Sequence, residues 1–286
     1  MKEQELIERY EQGERNFSGL NLAGADLRGA ILIGVNLSKA NLTGANLSRA
    51  FLTKTQLNEA VLHRANLSFA KMGETKMTEA NLIKANFSGA FLIKSKLPRA
   101  NLTGANLTGA NLTRANLWSA NLCSATLEST NLRECNLTGV NLNWANMYGA
   151  KLMAARLFAA QFTGVNFRKA YLSGIDLSGA DLNEVNFSEA KLNGANLEAA
   201  NLIAANFSNA LMRSIKLNNA DLTRANLTQA NLFRANLNWS KLYKANLSEA
   251  NMDESTFMGA NLEKVKLVNT TLSESTKLYF SFATAI

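Results

Sequence analysis

The chain has 286 residues, of which 47% are hydrophobic and 18% charged, with a net charge of +8, one proline, one histidine and two cysteines. That is enough apolar material for a core and too little charge for a disordered acidic or basic tail. A lone His63 beside only Cys123 and Cys135 excludes a disulfide scaffold, a zinc cluster and a Cys/His hydrolase, and no stretch approaches the ~20 apolar residues that span a bilayer.

Residues 1–15 open the chain with three basic and five acidic side chains. Leu6, Ile7 and Tyr10 fall on one side of a helix over Lys2–Gln12, and Gly13 is a stop signal. This segment reads as an N-terminal capping helix. A signal peptide would be basic and then apolar, so the expected location is cytoplasmic.

From Phe17 to Leu272 every fifth residue is Leu, Phe or Met, 52 positions without a gap. Two residues before each stands a small residue, usually Ala, and between them usually Asn or Asp, as in Ala105–Gly109. A period of five fits neither a 3.6-residue stripe nor continued alternation. A short extended piece followed by a corner does fit. The small residue and the Leu then point to one side and the Asn to the other. Fifteen of the seventeen glycines occupy the second corner position, where turn chemistry belongs. The side that collects Leu and Ala faces inward, and the chain coils around a narrow apolar axis. After it, Lys277–Ile286 is apolar and shows no helical period. Residues 274–286 are therefore expected to form a tail that covers the last coil or pairs with a second copy.

Over residues 16–273 the sequence resembles the pentapeptide-repeat proteins, in particular the long uninterrupted members abundant in cyanobacteria. The resemblance implies an all-β solenoid: a right-handed quadrilateral parallel β-helix with four pentapeptides per 20-residue coil. That makes about 13 coils from the 52 positions, a single continuous rod about 60 Å long at the usual strand spacing. It also implies a homodimer through the C-terminal end. In this register Phe167, Phe187 and Phe207 are one coil apart and form an aromatic core ladder.

A filled rod offers no pocket in which polar groups converge, so no catalytic, metal or cofactor residue is assigned and the chain is read as a non-enzyme. His63 is an outward corner residue, Cys135 takes an inward Ala position, and Cys123 faces out. Function is sought on the surface. The outward position is Asn or Asp in 11 of 13 coils on the wall through Asp26, 10 on that through Asn21, 7 on that through Asn16, and only 4 on that through Ile31. The Ile31 wall also loses Ala inside, at Val35, Thr55, Thr75, Ser95 and Cys135. Residues 39–99 hold ten basic against three acidic side chains. Together these point to a protein-binding wall. Phe51 and Phe91 are the anchors, Ile31, Ile33 and Ile93 the apolar surround, and Lys54, Lys71, Lys76, Lys94 and Lys96 the charges that steer an acidic partner. The resulting function is a protein–protein interaction scaffold, with nucleic-acid binding through the basic early coils as the alternative. Family members that imitate duplex DNA to protect gyrase need an acidic rod, the opposite of a +8 chain.

Overall fold

The computed structural model describes residues 3–283, with side chains to Phe280. The chain divides into two compact units: Met1–Asn146 with Ala155–Ala160, and Met147–Ala154 with Gln161–Ile286. Both are built from the same element. Each pentapeptide contributes one paired residue and a two-residue turn, and the paired residues bridge in parallel to those twenty positions on. In the first unit the bridges run from Asn16↔Asn36 to Asn136↔Arg156, and in the second from Lys151↔Tyr171 to Asn251↔Thr271.

The backbone accounting of one pentapeptide shows why five residues suffice. Phe51 N–H donates to Ala30 O at 2.9 Å in the coil before, and Leu52 and Lys54 donate to Lys71 O and Gly73 O in the coil after, at 2.8 and 2.9 Å. Thr55 N–H closes the corner onto Leu52 O at 3.0 Å. The remaining N–H, third in the unit, is left to a side chain. Elsewhere the outward Asn supplies the acceptor. Asn36 Oδ1 accepts from Ser38 N–H at 3.0 Å and Asn106 Oδ1 from Thr108 N–H at 3.0 Å, an Asx turn repeated along the stack. Neighbouring Asn side chains join too, as where Asn66 Nδ2 donates to Asn46 Oδ1 at 3.3 Å.

Inside, most central Leu, Phe and Met side chains and the small residues beside them are buried, while Leu262, Leu267 and Leu272 near the C-terminal end are half-buried. Phe167, Phe187 and Phe207 are fully enclosed in the second unit, with ring centroids 5.3 and 5.0 Å apart and planes within 8° and 3°. Offset stacking at such spacing contributes beyond area burial.

Two helices close the ends. Helix α1, Glu3–Glu11, buries Leu6. Glu3 Oε1 accepts from Asp26 N–H at 3.0 Å, so the first coil's open edge is partly answered by a side chain. Arg9 forks onto Glu14, Nε to Oε2 at 2.6 Å and Nη2 to Oε1 at 2.5 Å, and Gly13 turns the chain with φ +97°. Helix α2, Glu274–Ala283, corrects the expectation that this segment has no helical structure. Ser273 starts it, its Oγ accepting from Thr276 N–H at 3.3 Å while Lys277 N–H donates to its carbonyl at 2.9 Å. Tyr279 and Phe280 then pack on Phe257, with centroids 6.4 and 5.1 Å away. The buried Thr276 hydroxyl lies 3.3 Å from both Met252 O and Ser255 O. Packing on the coil below, rather than periodicity of its own, holds this helix. Ile286 and the two residues before it lie outside the described residues.

Candidate partner-binding wall

Ile31, Phe51, Lys71 and Phe91 follow one another in a parallel ladder of the first unit, each bridged to the next. Ile31, Phe51 and Phe91 are exposed, as are Ile33 and Ile93 at the adjoining corner. Lys54, Lys71, Lys76, Lys94 and Lys96 are exposed as well. All ten side chains singled out in the sequence thus reach solvent. Lys71 Nζ stands 3.6 Å from the centroid of the Phe91 ring, so the ladder's cation and its aromatic neighbour already form one cation–π unit.

The inner and outer departures of this wall have different causes. Thr55 Oγ1 donates to Leu32 O at 2.8 Å, Thr75 Oγ1 to Met72 O at 2.7 Å, Ser95 Oγ to Leu92 O at 2.7 Å, and Cys135 Sγ to Leu112 O at 2.9 Å. Among the described residues no buried side-chain nitrogen or oxygen lacks a partner. Each inner polar group therefore satisfies itself on a backbone carbonyl, and needs no ligand. Burial pushes the Cys135 thiol up to about 12, which keeps it protonated and unreactive. The outer departures have no such return. Ile31, Phe51, Lys71 and Phe91 carry no side-chain acceptor, so the N–H groups of Ile33, Thr53, Gly73 and Ile93 lose the Asx bond that Asn36 and Asn106 provide elsewhere. The wall gives up a turn cap in coil after coil and gains exposed apolar surface.

A cleft of about 430 Å³ lies beside this ladder, lined by Lys54, Glu74, Lys76, Lys94 and Lys96. His63 is half-buried, with its carbonyl accepting from Gly44 N–H at 2.9 Å. Among the described residues no group of three or more His, Cys, Asp or Glu could hold a metal ion, and no helix is long and apolar enough to cross a membrane.

Exposed aromatics at the other corners escaped the sequence reading, which followed corner residues only beside the Ile31 wall. Trp144 is 64% and Phe158 80% exposed. Trp118 lies under Arg99, 5.6 Å from the guanidinium, and Trp239 and Phe69 are also exposed. The available signal was an aromatic residue at either of the two turn positions.

Parallel single-residue bridges at a constant twenty-residue interval, four corners to the interval and an enclosed Leu/Phe axis, define a β-solenoid of square section. The profile of the pentapeptide repeats matches residues 16–49, 40–78, 80–118, 115–152, 160–198, 200–238 and 235–273, and the chain belongs to the pentapeptide-repeat family, whose members form right-handed quadrilateral β-helices. Among solved structures it is similar to HetL, a pentapeptide repeat protein involved in heterocyst differentiation regulation from the cyanobacterium Nostoc, at 29% identity over 96% of this chain and 98% of that one, with a TM-score of 0.33. A pentapeptide repeat protein of the Arabidopsis thaliana thylakoid lumen is 31% identical over 41% of this chain and 77% of its own, with a TM-score of 0.27. Rfr23 from the cyanobacterium Cyanothece is 28% identical over 55% and 98%, with a TM-score of 0.18. No functionally curated protein matches the chain.

Proposed function

We propose that this chain is a non-catalytic scaffold, about 13 coils long, that docks a protein partner on the wall of Ile31, Phe51, Lys71 and Phe91. One observation carries the reading: four consecutive coils replace a turn-capping Asn with an apolar or cationic side chain, which exposes Ile31, Phe51 and Phe91 beside the exposed corner residues Ile33 and Ile93. Aromatic anchors dominate interfaces. Lys54, Lys76, Lys94 and Lys96 would rim that patch and speed the approach of an acidic partner. The regulatory role named for HetL is compatible with such a scaffold. A cytoplasmic setting and a homodimer through the C-terminal end, where Val268 and Leu278 are exposed, belong to the same proposal.

The test is capture from native cell extract by the full chain and by Phe51→Ser with Phe91→Ser. The double variant is expected to keep its fold, within about 0.5 kcal/mol per site, and to lose the captured protein. Capture equal to that of the unaltered chain would overturn the assignment. Nucleic-acid binding, which the same lysines suggest, predicts instead retention of DNA or RNA that falls steeply with salt.

A further inference from the structure

Where a charged side chain stands at a corner, the coil twenty residues on often answers it. Lys39 meets Glu59 at 3.6 Å, Arg114 meets Glu134 at 2.7 Å, Arg234 meets Glu254 at 2.6 Å, and Arg99 pairs with Glu79. The column Lys54, Glu74, Lys94 has the same alternation of sign. Yet among the described residues no carboxylate oxygen lies within 4.0 Å of either lysine nitrogen. On the adjoining wall Lys76 and Lys96 are bridged directly to one another, and among the described bridges no other joins two side chains of the same charge. Like charges set opposite across a ladder destabilise it. These are the five residues that line the cleft of about 430 Å³, four cations against one anion.

We propose that this cleft binds a condensed phosphate chain, a small anion of three or more linked phosphates. Its volume falls within the range of small-ligand sites, about 300–1,000 Å³, and every side chain that lines it is charged, so charge rather than an aromatic or branched apolar fit selects the ligand. The donors are ammonium groups without a guanidinium. Each is a mobile point charge with rotatable donors, suited to the non-planar oxygens of phosphate rather than to the flat carboxylate that an Arg fork matches. Glu74 repels any anion, so a monovalent ligand gains little here, while a triphosphate carries enough charge to engage all four lysines. Binding also relieves the Lys76–Lys96 repulsion. The ligand thus stabilises the stack where its sequence weakens it. Inorganic tripolyphosphate and the tail of a nucleoside triphosphate share this chemistry.

The site shares lysines with the scaffold wall but stands without it: Phe51→Ser with Phe91→Ser should leave anion binding unchanged, so the two readings fail separately. The experiment titrates tripolyphosphate into the full chain by calorimetry at about 0.15 M salt, where exposed charges more than about 8 Å apart are largely screened. It follows the thermal midpoint in parallel. One saturating site per chain and a raised midpoint are expected. Lys76→Gln with Lys96→Gln should raise the midpoint of the ligand-free chain, weaken tripolyphosphate about tenfold or more, and abolish the ligand-induced rise. Lys216→Gln, in the second unit, should alter none of these. ATP in a second arm tells the sources apart: equal or weaker affinity assigns the inorganic chain, and tighter affinity the nucleotide. Absence of saturation, unchanged binding by the lysine double variant, or tighter binding of orthophosphate, hexaglutamate or a short oligonucleotide would overturn the proposal.

Discussion

The second corner residue of the pentapeptide sets the local energetics. Its φ lies in the left-handed region in both units, at +70° for Gly24, +60° for Lys54, +57° for Lys94 and +53° for Ala199. A side chain there brings Cβ against the following carbonyl, roughly 1–2 kcal/mol of strain, which is why glycines gather at this position and why every other residue bears a cost. Ala199 is exposed and small, so Ala199→Gly should raise stability by about 0.5–1 kcal/mol once the freer unfolded chain is allowed for. That is the reverse of the usual sign for Ala→Gly, and urea unfolding reads it directly. Gly89 is held by a second constraint: the Phe69 ring lies 2.5 Å from where a Cβ would be built. Gly89→Ala should therefore lower stability by at least the 1–2 kcal/mol of backbone strain, and Phe69→Ser should recover the part due to the ring.

The end helices differ in how visible they were. Helix α1 announces itself through Leu6, Ile7 and Tyr10 at helical spacing and through Gly13. Helix α2 does not, because Tyr279 and Phe280 are adjacent rather than three or four apart, and what fixes them is Phe257 in the coil beneath. Tertiary contacts of that kind leave no period in the sequence. Docking of α1 is also expected to depend on pH. Hydrogen bonds from Arg9 hold the Glu14 carboxyl below the usual carboxylate range. A folded pKa below the unfolded value gives stabilisation present above the unfolded pKa, about 4.3 for Glu, and lost as pH falls through the folded one. Amide exchange at Leu6 and Arg9 should accordingly slow as pH rises towards about 4.3 and level off above it, after correction for intrinsic rates. Glu14→Gln should flatten that dependence; an unchanged profile would place the effect elsewhere.

At the scale of the whole molecule, stability and binding draw on opposite faces of the same pentapeptide. The inward face was legible because burial imposes a five-residue rule on every coil, which is why Phe167, Phe187 and Phe207 could be placed in one ladder once the family resemblance supplied the twenty-residue register. The outward face obeys no comparable rule. Its pattern marked where Asn is missing, but could not show that Lys71 sits on Phe91, or that four lysines and Glu74 share one cleft. This division predicts how substitutions separate. In a solenoid each coil is stabilised mainly by its neighbours, and Phe187 touches a ring on either side, at 5.3 and 5.0 Å. Phe187→Ala therefore empties the middle of a close-packed column and should cost about 3–5 kcal/mol, read as a lower urea midpoint. Hydrogen exchange should show the loss first at the amides of Lys169, Glu189 and Lys191, whose bonds tie those coils together. Phe51→Ser with Phe91→Ser removes two aromatic rings as well, yet both are exposed, and the midpoint should hardly move. Equal losses in the two variants would mean that the Phe51 and Phe91 rings support the stack, and the wall would then be structural rather than a docking surface.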